Sequence, residues 1–176
     1  KYTPAPVRGQ IIGRVTQILI EKKEMLSRLV TREIGKPLRE SRGEVQEAID
    51  TAVFFQGEGR RLYGQTVPSE MRRKELMTYR RPLGVCAMIT AGNFPFAVPS
   101  WKIIPALICG NTVVWKPSED APAIAYAFAN VWREAGLPDG VLNVVFGTGA
   151  ATGQALVDSI DKGLIQKISF TGSTAV

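Results

Sequence analysis

From Pro82 onward, short runs of consecutive apolar residues alternate with stretches of helical spacing, and this alternation constrains the fold more than any other feature. Val85-Cys86-Ala87-Met88-Ile89, Thr112-Val113-Val114-Trp115-Lys116, Leu142-Asn143-Val144-Val145-Phe146 and Lys167-Ile168-Ser169-Phe170 read as four strands. Helices are expected between them over residues 96–108, 122–135 and 150–159. A strand that is apolar along its length is buried on both faces, and helical crossovers make successive strands parallel. The pattern predicts an α/β fold, a Rossmann-like parallel sheet with helices on both faces.

The first third is helical. Ile11, Ile12, Val15, Ile18 and Leu19 recur at helical spacing, and Leu26, Leu29 and Val30 continue a second stripe. Gly35 is placed to end that helix and Pro37 to open a third at its first turn. There Val45, Ala48, Ile49 and Ala52 form the apolar stripe, while Arg39, Glu40, Arg42, Glu44 and Glu47 supply polar positions. Residues 64–67 and 76–79 read as two short strands around a polar tip, a projecting hairpin. The expected division is 1–62 for amino-terminal helices, 63–81 for the hairpin and 82–176 for the strand–helix domain. The chain opens on Lys1 and stops three residues after Ser173, inside what reads as the first turn of a further helix. It is therefore expected to be part of a longer protein.

A sheet of this kind places its ligands just beyond the carboxyl ends of its strands, and four joints lie there. Asn93, in Thr90-Ala91-Gly92-Asn93-Phe94-Pro95, follows the first strand. Its side-chain amide can donate a hydrogen bond to a developing oxyanion, while residue type alone favours a turn or a helix cap. Lys116-Pro117-Ser118-Glu119 follows the second strand. A carboxylate and an ammonium there can bond the hydroxyls of an adenosine ribose, and an exposed charged turn would look the same. Gly147-Thr148-Gly149-Ala150-Ala151-Thr152-Gly153 follows the third and misses the usual dinucleotide fingerprint by one residue; alone, a tight turn explains it. Phe170-Thr171-Gly172-Ser173 ends the fourth with a glycine turn where a helix amino terminus can meet a phosphate. Their agreement at one edge of one sheet favours a dinucleotide crevice.

Composition removes several other chemistries. There is no histidine, which excludes a Ser-His pair, a histidine base and a histidine–zinc site within this chain. Cys86 and Cys109 both sit in apolar surroundings and suggest neither a disulfide framework nor a metal site. No apolar run approaches the roughly 20 residues that span a bilayer, and no signal-peptide pattern opens the chain; the expected setting is cytoplasmic, with no membrane partner. The formal net charge is +6, but residues 1–81 hold 17 Lys and Arg against 10 Asp and Glu, and residues 82–176 hold 5 against 6. Without interleaved aromatics to stack bases, that excess fits a solvated face or a partner-subunit surface better than nucleic acid. A basic nucleic-acid-binding module is the alternative from another class.

With these residues in place, the chain closely resembles the aldehyde dehydrogenase superfamily along essentially its whole length. The resemblance rests on Glu33-Ile34-Gly35-Lys36-Pro37-Leu38, Gly43-Glu44-Val45, Pro82-Leu83-Gly84-Val85, Asn93-Phe94-Pro95, Gly110-Asn111-Thr112-Val113-Val114, Lys116-Pro117-Ser118-Glu119 and Phe170-Thr171-Gly172-Ser173, in family order. It implies oxidation of an aldehyde to an acid with NAD or NADP: a cysteine thiolate attacks, hydride passes to the nicotinamide, and water activated by a glutamate hydrolyses the thioester; the Glu119 carboxylate, repelling a 2′-phosphate, makes NAD the preferred coenzyme expected here. The resemblance implies that Asn93 helps stabilise the oxyanion, and that Lys116 and Glu119 contact the adenosine ribose. Ser173 falls at the pyrophosphate-binding helix start, and Thr90, Ala91, Ser118, Gly149, Gly153, Phe170, Thr171 and Gly172 complete the expected coenzyme set. The hairpin corresponds to part of an oligomerisation sheet, implying a homodimer or homotetramer. The family's nucleophile and general base fall beyond Ser173, and neither Cys86 nor Cys109 matches the nucleophile, so this stretch alone is expected to be inactive. The residue before the asparagine is often aromatic in the family and is Gly92 here, a departure expected to widen the substrate channel and one that leaves the aldehyde unidentified. A coenzyme-binding homologue with little dehydrogenase activity is the alternative within the superfamily.

Overall fold

Three helices come first: α1 (Ala5–Glu21), α2 (Lys23–Ile34) and α3 (Leu38–Gln56). The structure, a computed structural model, describes residues 3–173. The stripes read from spacing meet each other, with Val15, Leu19, Leu26, Val30, Val45, Ala48 and Ala52 wholly buried. Packing of these faces stabilises helices that propensity alone would leave marginal. Gly35 ends α2 at φ +71°, a left-handed conformation in which a Cβ is costly. Pro37 lies one residue outside α3 rather than in its first turn. Its ψ of 136° keeps it extended, and its carbonyl accepts the first helical bonds, from Glu40 and Ser41.

A second departure concerns Glu44. Assigned by type to the polar side of α3, it is 2% exposed. Its position explains this: Glu44 lies three residues after Ser41 and four before Ala48, both buried, so it shares their face.

The hairpin is shorter than its sequence suggests. β1 (Thr66–Val67) and β2 (Leu76–Met77) pair antiparallel, Thr66 opposite Met77 and Val67 opposite Leu76. All four residues are exposed, so no burial extends the ladder.

The remaining elements are β3 (Val85–Ile89), α4 (Ala97–Ile108), β4 (Thr112–Lys116), α5 (Pro122–Glu134), β5 (Leu142–Val144), α6 (Gln154–Asp161) and β6 (Lys167–Phe170). The four strands form one parallel sheet in the order β5-β4-β3-β6. Alternate residues point to opposite faces. Cys86, Met88, Val113 and Trp115 enter a core shared with α1 to α5, whereas Ala87 packs with Leu156 of α6 and Ile165. Helices therefore cover both faces. β5 stops two residues early because the chain turns away at Gly147, φ +144°, and α6 is entered through a π-helical turn, Gly149–Gly153. Cys109 is exposed, not in apolar surroundings: it caps the carboxyl end of α4, one residue beyond the buried Ile108. Among the described residues no helix is long and apolar enough to cross a membrane.

Candidate functional site

The strand order creates a crevice. From β3 the chain moves outward to β4 and β5, then returns to place β6 on the other side of β3. The chain leaves β3 toward β4 while β6 lies on the other side of β3, so the carboxyl ends of β3 and β6 flank the kind of topological switch point at which open α/β sheets bind ligands. Thr171 N–H donates to the Ile89 carbonyl at 3.0 Å, closing the floor. Above it an open cleft of ≈ 780 Å³ is lined by Ala91, Gly92, Asn93, Thr171, Gly172 and Ser173, with the α2–α3 loop opposite. The further helix expected after Ser173 lies outside the described residues.

Asn93 is exposed to this cleft, and its loop is held from the amino-terminal helices. Glu44 Oε1 accepts from the backbone N–H groups of Phe96 (2.8 Å) and Ala97 (3.2 Å) at the start of α4. These are donors that a helix cannot satisfy internally, and a carboxylate is favoured at the positive end of the helix. Glu44 Oε2 accepts from Lys36 Nζ at 2.6 Å, and Lys36 also donates to the Asn93 carbonyl at 2.7 Å. Glu33 performs the corresponding service one helix along, accepting from Ala123 (2.6 Å) and Ile124 (2.8 Å) at the start of α5.

The other candidates divide between two places. At the ends of β4 and β5, the buried Lys116 places Nζ 2.9 Å from the Pro117 carbonyl and 3.8 Å from Glu119 Oε2. Glu119 is half-exposed and accepts from Gly149 N–H at 3.2 Å. Gly153 lies beneath, where an added Cβ would meet only Lys116 Cδ at 3.9 Å. In the glycine segment the residue that must be glycine is Gly147, because of its positive φ and the Thr152 side chain against it. Gly149 has nothing within 4 Å of a Cβ. Thr90 turns inward: it is 4% exposed and accepts from the Trp115 indole at 3.0 Å. Ser118 Oγ pairs with Asp120 Oδ2 at 3.3 Å, and Phe170 is exposed, its ring packed over Gly172.

Neither cysteine reaches Asn93. Cys86 is buried inside β3 and burial pushes its thiol up. Cys109 lies at the far end of α4, about 18 Å along a helix of this length. Among the described residues no group of three or more His, Cys, Asp or Glu side chains could hold a metal ion.

The sequence matches the aldehyde dehydrogenase family over residues 1–176. The chain belongs to that family. It is 42% identical over 176 residues to an α-ketoglutarate semialdehyde dehydrogenase of Haloferax volcanii, covering 100% of this chain and 36% of that protein. It is 41% identical over 172 residues to the NADP(+) succinate-semialdehyde dehydrogenase GabD of Escherichia coli, covering 98% and 35%. The chain thus spans about a third of the length of the curated relatives it matches. Among solved structures, an E. coli NADP-dependent enzyme superposes with a TM-score of 0.94 at 40% identity, covering 99% of this chain and 36% of that one. PnpE in complex with nicotinamide adenine dinucleotide gives 0.93 at 37%, covering 99% and 35%. The parallel sheet of this aldehyde dehydrogenase chain is accordingly a Rossmann-like domain of the family.

Site reasoning from sequence passed over Glu33, Lys36 and Glu44, which hold the helix starts and the Asn93 loop of this aldehyde dehydrogenase chain. A signal existed for Glu44, whose spacing puts a carboxylate in an apolar stripe. Lys36 falls in one of the motifs that carry the resemblance, but nothing local gives it a role, because its partners lie 8 and 57 residues away.

Proposed function

We propose that this chain supplies the coenzyme crevice and the oxyanion donor of an NAD(P)-dependent dehydrogenase that oxidises an aldehyde to a carboxylic acid. The observation that carries the proposal is Asn93, exposed in a cleft at the switch point between β3 and β6. An amide donor there can stabilise the oxygen that becomes negative when a thiolate adds to an aldehyde. The crevice fits a dinucleotide: a carboxylate and an ammonium 3.8 Å apart at the end of β4 match the acceptor and donor needs of ribose hydroxyls, and Gly172-Ser173 offers backbone N–H groups to a diphosphate. When bound, the nicotinamide accepts the hydride. Ala91, Thr171 and Phe170 would border it; Thr90 would act by holding the Trp115 edge of the floor. The names of the relatives favour a semialdehyde, an aldehyde that carries a carboxylate.

We assign residues 1–62 to packing on the coenzyme domain, 63–81 to a self-association sheet in a cytoplasmic homodimer or homotetramer, and 82–176 to coenzyme binding. Exposed Val67, Met71, Leu76, Met77 and Tyr79 on the hairpin support the second assignment. The decisive test is Asn93→Ala in the complete enzyme. Pre-steady-state NADH formation should fall by about 10²–10³, the usual cost of one oxyanion donor, with little change in coenzyme KM. A wild-type rate would remove the oxyanion assignment.

A further inference from the structure

We propose that Lys36 and Glu44 form a clamp that positions Asn93, so that the amino-terminal helices set the geometry of the oxyanion site. This rests on the oxyanion reading of Asn93 and adds residues to which no role in the reaction has been given.

The clamp is a continuous chain of short contacts. Glu44, whose side chain is wholly buried, is anchored by two N–H groups of α4. Lys36, 11% exposed, joins that anchor to the Asn93 carbonyl, and its Nζ lies 3.8 Å from the centre of the Phe94 ring. An ammonium has three N–H donors: here two are bonded and the remaining direction meets the negative face of an aromatic ring. Lys36 lines the cleft, yet it has no free donor for a substrate carboxylate. It is a positioning residue.

The backbone around Lys36 is stiff. Gly35 is left-handed at φ +71°, and Pro37 has its φ fixed by its ring, so the ammonium is delivered from a short braced loop. Asn93, by contrast, is exposed, and among the described residues no other side chain hydrogen-bonds it. Displacing a reacting or stabilising group by 1 Å can cost about 10²-fold in rate, so the Lys36 contact matters for turnover although it is remote from the aldehyde.

The test uses the complete enzyme with Lys36→Met, Glu44→Gln and the pair K36M/E44Q, each also combined with Asn93→Ala. Lys36→Met leaves a buried carboxylate without its counter-charge and could unfold the protein. The pair removes that charge, and Glu44→Gln alone keeps an acceptor for the two α4 N–H groups. The expected result for folded variants is a fall of about 10- to 100-fold in the pre-steady-state rate. It should be equal for a carboxylate-bearing aldehyde and a neutral one, with coenzyme KM within about twofold, and with no further fall in the Asn93→Ala background. If Asn93→Ala is impaired and the folded clamp variants are not, the clamp is wrong and the oxyanion reading stands. Loss confined to KM for the carboxylate-bearing aldehyde would overturn the clamp by making Lys36 a substrate ligand. If Asn93→Ala itself keeps its rate, the oxyanion reading fails and takes the clamp with it.

Discussion

Gly92, immediately before Asn93, belongs to a second joint in the same edge. A Cβ there would lie 2.8 Å from Ser118 Oγ and 3.2 Å from Ser118 Cβ, so the loop after β3 and the loop after β4 share this space. The backbone at Gly92 is not left-handed, which makes the constraint steric rather than conformational. Gly92→Ala should therefore destabilise by about 1–3 kcal/mol, the ordinary cost of overpacking. Adding Ser118→Gly removes both clashing atoms and should recover most of the loss. Urea unfolding of the single and double variants checks this, and no recovery would place the cost in the Gly92 backbone instead.

At the scale of elements, α2 and α3 are tied by Arg42, which donates to both Glu24 oxygens at 2.8 and 2.9 Å, with Arg28 beside them. The bond from Arg42 holds the Glu24 carboxyl at about 2, below its ordinary 4.5. A lowered folded value means the carboxylate stabilises the fold above the ordinary range and loses that effect as pH falls through about 2. The difference in Tm between wild type and Glu24→Gln should thus be present at pH 6, shrink as pH falls below about 4.5 and disappear only below about 2. The pair is exposed, so the difference is small in size; one that grows toward acid would contradict the assignment.

The elements themselves were the most legible part of the sequence. β3 and β4 are bounded as their apolar runs indicate, because burial on both faces writes itself into consecutive residues; β6, exposed at both ends, keeps its expected bounds because it pairs with β3 along its whole length. The hairpin shrinks where that burial is missing, and β5 where the chain turns away at Gly147. The edge of the sheet was legible too, since Asn93, Glu119 and Ser173 follow strands and Lys116 ends one. What spacing along one element could not reveal is contact between elements: Glu33 reaching α5 and Lys36 reaching Asn93 bridge 90 and 57 residues. Glu44 lies between these cases, visible from periodicity once residue type is set aside.

For the molecule as a whole, the coenzyme is the question that ties the edge together. If Glu119 accepts the ribose hydroxyls, the 2′-phosphate of NADP meets a carboxylate, with Lys116 3.8 Å away as partial relief. We expect the complete enzyme to prefer NAD by roughly tenfold to a hundredfold, about 1.4–2.8 kcal/mol, and Glu119→Gln to narrow the gap. The ratio of kcat/KM for the two coenzymes, in both proteins at matched ionic strength, decides it. An unchanged ratio would mean that the carboxylate is engaged by Gly149 N–H alone.

The carboxylates at the starts of α4 and α5 bear on the same crevice in another way. Each occupies a seat that a free anion would otherwise find attractive, and each is carried on the chain itself. A tethered competitor of this kind acts at an effective concentration of millimolar or more, undiminished by dilution. Dissolved phosphate, sulfate or small carboxylates would have to displace Glu33 or Glu44 to settle at those two helix ends. Those two helix starts are thereby closed to dissolved anions, and on the proposed reading a diphosphate is directed to the turn after β6.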